Sequence, residues 1–94
     1  MLISGVIWLR KFIDKLASKH EVETEEVEEV FSNKPRFRRV AKGDIVGEDV
    51  YSAMGQTHSG RYLTVFFVYK PDRQALVISA RDMEPKERRN YGRK

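Results

Sequence analysis

Two arginines stand at the ends of consecutive apolar runs in the C-terminal third of the chain. Arg61 opens the run that ends at Tyr69, and Arg81 follows the next run, Gln74–Ala80. In an antiparallel hairpin the start of one strand lies beside the end of its partner, so both guanidinium groups are expected at one edge of the sheet. Guanidinium groups bind phosphate oxygens well. The pattern predicts a phosphate site, and RNA is the phosphate polymer that it favours.

Cutting RNA without a metal requires cations around the phosphorane, a base for the 2′-hydroxyl and an acid for the leaving 5′-oxygen. Arg61 and Arg81 are the candidates for the cations. The alternative is structural, because each arginine could end a strand and pair with a nearby acid such as Asp82.

Three further residues are candidates for proton transfer in this reaction. His20 closes the first predicted helix, and histidine titrates near physiological pH, but a histidine there also stabilises a helix C-terminus. Glu87 and Tyr91 are four residues apart and share one helix face. They are candidate acid–base groups, although Glu87 could equally form a salt bridge with Arg81 while Tyr91 packs on the sheet.

Charge is distributed unevenly along the chain. The net charge is +4, yet six glutamates are concentrated between Glu21 and Glu29, and the remainder is strongly basic. Such a surface attracts polyanions, although solvated charge on an ordinary surface is the alternative. The residues expected to bind RNA without catalysing its cleavage are Lys19, Arg88, Arg89 and Arg93.

Several classes of site find no support in the sequence. Without cysteine there is no disulfide framework, thiolate nucleophile or cysteine-rich zinc site. There is no glycine-rich phosphate loop, and His20 and His58 are not at metal-ligand spacing. We therefore expect no cofactor and no metal. No apolar run nears the ~20 residues of a membrane helix, and no secretory signal is recognised, so a cytoplasmic protein without membrane contact is expected.

Hydrophobic periodicity predicts the elements that position these residues. Trp8–His20 is predicted to be an amphipathic helix, and a second helix is expected to start at a Thr24 N-cap and end near Asn33. Pro35 and the glycines that follow mark a change to strands. Four antiparallel strands are predicted: Arg36–Ala41, Glu48–Gln56, Arg61–Tyr69 and Gln74–Ala80. With a last helix from Pro85, this is a single α+β domain over residues 1–94.

Three segments resemble the BrnT family, the toxin halves of type II toxin–antitoxin systems. They are Lys19–Phe31, Gly55–Tyr69 and Ile78–Tyr91, and the Ser79-Ala80-Arg81 segment is the most specific. The positions that match the family pattern are Trp8, Lys19-His20, Val30-Phe31, Gly60-Arg61, Ile78-Ser79-Ala80-Arg81, Glu87 and Tyr91.

The resemblance implies a RelE-like ribonuclease fold, cleavage of cellular RNA and arrest of growth. It also implies neutralisation by a cognate antitoxin with a ribbon-helix-helix part, so that the toxin reaches operator DNA only through the antitoxin. Whether the chain forms a homodimer is left open. The alternative to a nuclease is a non-catalytic RNA- or protein-binding module that keeps the same fold.

The chain departs from the family pattern at two places near the predicted site. Glu21 stands where the family usually has glycine, and Asp82 follows Arg81 where the family usually has lysine. Asp82 is expected to put a negative charge beside the phosphate-binding arginine. The resemblance therefore implies a divergent member with either weak nuclease activity or none.

Overall fold

The computed structural model describes residues 1–92 as three helices and one five-stranded sheet. The helices are α1 (Arg10–Lys15), which continues into a π-helical segment (Leu16–His20), α2 (Thr24–Ser32) and α3 (Pro85–Gly92). The strands are β1 (Gly5–Ile7), β2 (Arg36–Ala41), β3 (Val50–Gln56), β4 (Tyr62–Tyr69) and β5 (Gln74–Asp82). The predicted α+β class is confirmed.

The sheet is mixed and has the order β1-β5-β4-β3-β2. β2, β3, β4 and β5 are antiparallel neighbours, as predicted. The prediction of four antiparallel strands was wrong in one respect, because β1 is a fifth strand that runs parallel to β5. β1 has only three residues, which is too short for a period-two pattern to be recognised. β1 also pairs with a strand that lies far along the chain, and local sequence cannot indicate such a pairing.

The two N-terminal helices exist but differ in detail from the prediction. The first begins at Arg10 and not at Trp8, and its last five residues are π-helical. The second begins at Thr24, but Glu23 and not Thr24 is its N-cap. The backbone N–H of Glu23 donates to Glu26 Oε1 at 3.0 Å, which is one half of a capping box.

One face of the sheet packs against α1, the π-helical segment and α2. Alternate residues of β4 point to this face, and Leu63, Val65 and Phe67 are fully buried there. Val30 of α2 lies close to Gly55 of β3, where an added Cβ would be 3.1 Å from Val30 Cγ1. We refer to this side as the helical face.

The opposite side of the sheet carries α3, and we refer to it as the α3 face. Tyr91 is buried, and its ring meets the ring of Tyr62 edge-on at a centroid distance of 6.0 Å. Thr64 Oγ1 donates to Glu87 Oε1 at 3.1 Å. Tyr62 and Thr64 alternate with the core residues of β4, so α3 and α2 cover opposite faces. Within residues 1–92 no helix is both long and apolar enough to cross a membrane.

Candidate functional site

The strand ends meet as the sequence predicts, but the two guanidinium groups do not. Leu63 pairs with Asp82 and Thr64 pairs with Arg81, so β4 begins beside the end of β5. Side chains alternate between faces along a strand. Arg61 therefore follows Leu63 to the helical face, whereas Arg81 lies with Thr64 on the α3 face. The expected convergence of Arg61 and Arg81 on one phosphate is wrong, because adjacency of strand ends does not fix which face a side chain uses.

Arg61 is held by a dense set of acceptors on the helical face. Its Nε donates to Asp82 Oδ1 at 2.8 Å, and its Nη1 donates to both carboxylate oxygens of Glu26 at 3.1 and 3.2 Å. Nη1 also donates to the Glu21 carbonyl, and Nη2 donates to the His20 carbonyl. Hydrogen bonding to Asp82 is the main cause of a raised pKa for Arg61.

These contacts give Arg61 a structural task. Carbonyls at the end of a helix lack backbone partners and carry the negative end of the helix dipole. Arg61 satisfies two such carbonyls and links them to α2 through Glu26 and to β5 through Asp82. Arg61 therefore fits the structural alternative given in the sequence analysis, in which an arginine at a strand end pairs with Asp82.

Glu21, one of the departures from the family pattern, has a backbone conformation that glycine favours. It lies just past the π-helical segment with φ 53° and ψ 41°, the left-handed conformation that commonly ends helices. Glycine adopts this conformation without steric cost, whereas a side chain does so at a cost. Glutamate at position 21 therefore strains the backbone locally, and the hydrogen bond from Arg61 to its carbonyl helps to hold this conformation.

Arg81 forms the centre of a second cluster on the α3 face. Its Nη1 and Nη2 donate to Glu87 Oε1 and Oε2 at 2.6 and 3.0 Å, a bidentate pair. Glu84 lies farther away, at 3.7 Å from Nη2. The guanidinium also lies over the ring of Phe66, 5.3 Å from its centroid. Arg81 is therefore fixed in direction while about 29% of its side chain stays exposed.

Glu87 is the carboxylate partner in this cluster, and its protonation follows from its contacts. Hydrogen bonding from Arg81 lowers the pKa of Glu87, and the backbone N–H of Glu84 and the Thr64 hydroxyl act in the same direction. Glu87 is consequently ionised at neutral pH. In this form it orients Arg81 and can accept a proton, as a base that the lowered pKa weakens, but it has no proton to donate.

Asp82 does not disturb this cluster. Its carboxylate bonds to Arg61 on the helical face, and only its backbone carbonyl accepts a hydrogen bond from Arg81, at 3.1 Å. The expectation of an acid beside the phosphate-binding arginine is wrong, because consecutive residues of a strand point to opposite faces.

An open groove borders Arg81 on the α3 face. It runs between α3 and the exposed strand face toward the sheet edge at β2. The groove, which we call the arginine groove, is lined by Arg38, Arg39, Val40, Ser52, Met54, Phe66, Arg81, Glu87 and Asn90. A second concave region next to it includes Arg36, whose Nη1 donates to the Asn90 carbonyl at 2.6 Å.

Sequence reasoning left Arg36 and Arg38 out of the site. The sequence pattern could have indicated them. The two arginines flank Phe37 in a predicted strand, so they must lie on the face opposite to Phe37. Phe37 packs toward Phe31 and Phe67 on the helical face. Arg38 pairs with Ser52 across the sheet, which puts both in the arginine groove.

The remaining predicted residues are dispersed. His20 ends the π-helical segment, and its carbonyl binds Arg61 on the helical face. Tyr91 is only 6% exposed. Of the predicted RNA-binding residues, Lys19 is exposed in the π-helical segment, and Arg88 and Arg89 are exposed on α3. Arg93 lies outside the described residues.

Within residues 1–92 no group of three or more histidine, aspartate or glutamate side chains is placed to hold a metal ion.

Comparison with known proteins gives one clear match. A family model described as the ribonuclease toxin BrnT of type II toxin–antitoxin systems matches residues 12–87, which is most of the chain. A sequence search among curated proteins returns no match. Membership of such a family implies an RNA substrate and an antitoxin partner. On this match the chain belongs to the BrnT family of ribonuclease toxins.

Proposed function

We propose that the chain is an endoribonuclease toxin that binds RNA in the arginine groove and cuts it without a metal ion. The observation that carries the proposal is the bidentate pair of Arg81 and Glu87 at the wall of an open groove. Family membership supplies the reaction class. Arg81 replaces the pair Arg61–Arg81 as the centre of the site.

Phosphate binding is the first task that we assign to the groove. Arg81 is held in one orientation by Glu87, so little side-chain entropy is lost when a phosphate binds its exposed part. Arg38 is exposed on β2 and, within residues 1–92, no carboxylate lies at ion-pair distance from it. A phosphate between Arg38 and Arg81 would be contacted by two guanidinium groups.

Proton transfer is the second task. Glu87 is the one carboxylate in the described lining of the groove, and it is ionised. We propose that the Glu87 carboxylate takes the proton from the 2′-hydroxyl. The 2′-oxygen then attacks phosphorus, the bond to the 5′-oxygen breaks, and a water in the open groove protonates the departing oxygen. The products are a 2′,3′-cyclic phosphate and a 5′-hydroxyl, and Arg81 stabilises the charge on the phosphorane.

The test is cleavage of a labelled RNA by the purified chain in EDTA, with identification of the new ends. Wild-type protein should give 2′,3′-cyclic phosphate ends, and Arg81→Ala should lower the rate by about 100-fold or more. Arg10→Ala is the matched control, because Arg10 is exposed at the start of α1 on the helical side. It should retain the wild-type rate.

Two results would count against the proposal. Full activity of a folded Arg81→Ala variant would remove the assigned site. RNA that is retained on a filter yet stays intact, with binding that falls steeply as salt rises, would instead support a non-catalytic RNA-binding module.

We further infer, from the family alone, that the antitoxin has a ribbon-helix-helix part and that the pair acts on cytoplasmic RNA and represses its own operator. Co-expression with a small ribbon-helix-helix protein encoded beside this chain should yield a stable complex without nuclease activity. A chain that purifies alone and stays active in that experiment would contradict the inference.

A further inference from the structure

Arg88 on α3 lies over the face of an aromatic ring beside the proposed RNA site. Its Cζ is 4.0 Å from the centroid of the Tyr62 ring, a distance at which the guanidinium covers the face of the ring. The same ring also meets the ring of Tyr91 edge-on. The Arg88 plane is thus supported on one side by Tyr62, while the residue as a whole is exposed.

The exposed side of Arg88 borders a shallow concave surface. This surface is lined by Met83, Pro85, Arg88 and Arg89, and it combines apolar side chains with two guanidinium groups. A flat, weakly hydrated cation next to apolar side chains suits the face of an aromatic ring better than it suits a compact anion. Unpaired nucleobases commonly stack on guanidinium planes in proteins that bind single-stranded RNA.

The position of this surface relative to Arg81 fits one continuous strand of RNA. The backbone N–H of Met83 donates to the Tyr62 carbonyl at 3.1 Å, which extends the pairing of β4 and β5 by one residue. Arg81 and Met83 are therefore two positions apart on the same face, about 7 Å between Cα atoms. A nucleotide next to the phosphate at Arg81 can reach this surface.

We propose that Arg88, supported by Tyr62, is a stacking site for an unpaired nucleobase next to the cleaved phosphate. This proposal rests on the proposed function, because it assumes RNA at Arg81. It gives Arg88 a task distinct from general attraction of the phosphate backbone, which any exposed cation on α3 could provide. It also predicts that the enzyme requires single-stranded RNA at this position.

The test uses a short single-stranded 2′-deoxy oligonucleotide that carries one 2-aminopurine and cannot be cut by attack of a 2′-hydroxyl. Stacking on Arg88 should quench its fluorescence on binding to wild-type protein. Arg88→Lys keeps the charge but loses the plane, so quenching should be lost and affinity should fall by about 5- to 20-fold. Arg10→Lys is the matched control, because Arg10 is exposed at the start of α1 on the helical side, and it should behave as wild type.

Support by Tyr62 is tested in the same assay. Tyr62→Phe keeps the ring and should retain quenching, whereas Tyr62→Leu should lose it. Thermal unfolding of each variant shows whether α3 stays in place, and Tyr62→Phe serves as the reference if Tyr62→Leu unfolds.

The outcomes separate this proposal from the proposed function. Normal quenching by Arg88→Lys, equal loss in both lysine variants, or no quenching by wild-type protein would each overturn the stacking site. A protein that quenches 2-aminopurine but leaves RNA intact in EDTA would overturn the proposed nuclease alone.

Discussion

At the scale of single residues, the two arginines of the predicted site have different tasks. Arg61 donates to two backbone carbonyls and two carboxylates and holds the end of the π-helical segment. Arg81 faces an open groove with one bidentate partner. Residue type and position along the strands were visible in the sequence. The face that each side chain uses depended on register, because a shift of one residue changes the face.

The left-handed conformation of Glu21 leads to a prediction about stability. Glu21→Gly should raise the free energy of unfolding by about 1 kcal/mol, because glycine adopts φ 53° without a steric penalty. Its side chain is exposed, and the hydrogen bond to Arg61 uses the Glu21 carbonyl, which the variant keeps. Urea denaturation measures the difference.

The matched control for this experiment is Glu25→Gly in the first turn of α2. Glycine in a regular helix is unfavourable, so this variant should be less stable than wild type. Destabilisation by Glu21→Gly of the same size as in the control would show that the strain assigned to Glu21 is absent.

Glu87 gives a pH-dependent prediction. Its pKa is lowered in the folded protein, so its contribution to stability is complete above the unfolded value of about 4.3 and is lost as pH falls through the lower folded value. Glu87→Gln should therefore cost about 1 kcal/mol at pH 7, and this cost should disappear as pH falls below the folded pKa of Glu87. Thermal unfolding at several pH values measures this difference.

Glu84→Gln is the control for Glu87. Glu84 is more exposed and lies at 3.7 Å from Arg81, so its removal should change stability little at any pH. If Glu87→Gln lowered the free energy of unfolding equally at acidic and neutral pH, the carboxylate charge would not be what stabilises the cluster.

At the scale of elements, most of the fold could be predicted from local pattern. The alternation of β4 and β5 and the glycines and prolines between elements gave correct strands and helices within a few residues. β1 could not be found, because its three residues are recognised only through their partner, β5. The N-cap of α2 was also predicted wrongly, at Thr24 instead of Glu23. Both residues are polar, and only the backbone geometry shows which of them lies outside the helix.

The close packing of α2 on β3 gives a prediction at this scale. A methyl group at Gly55 would lie 3.1 Å from Val30 Cγ1 and 3.4 Å from Pro35 Cβ. Gly55→Ala should thus lower the free energy of unfolding by about 1–2 kcal/mol. Gly5→Ala is the control, because a methyl group there meets Gln74 at an ordinary 3.7 Å. Equal stability of the two variants would show that α2 can move away from β3 without cost.

At the scale of the whole molecule, the two faces of the sheet differ in charge. The helical face carries the acidic α2, whereas the α3 face carries Arg36, Arg38, Arg81 and Arg88. RNA should approach the second face and be repelled by α2 on the first. The glutamate-rich segment indicated this asymmetry, but local sequence could not show that the basic strand β2 lines the same groove as Arg81.

The most direct test of the central claim is where RNA binds. Amide chemical shifts of the labelled protein can be followed by NMR while a single-stranded 2′-deoxy oligonucleotide is added. We expect large changes at Arg38, Ser52, Phe66 and Arg81 and none along α2. Changes confined to the surroundings of Arg61 and His20 on the helical face, with an unperturbed arginine groove, would contradict this expectation.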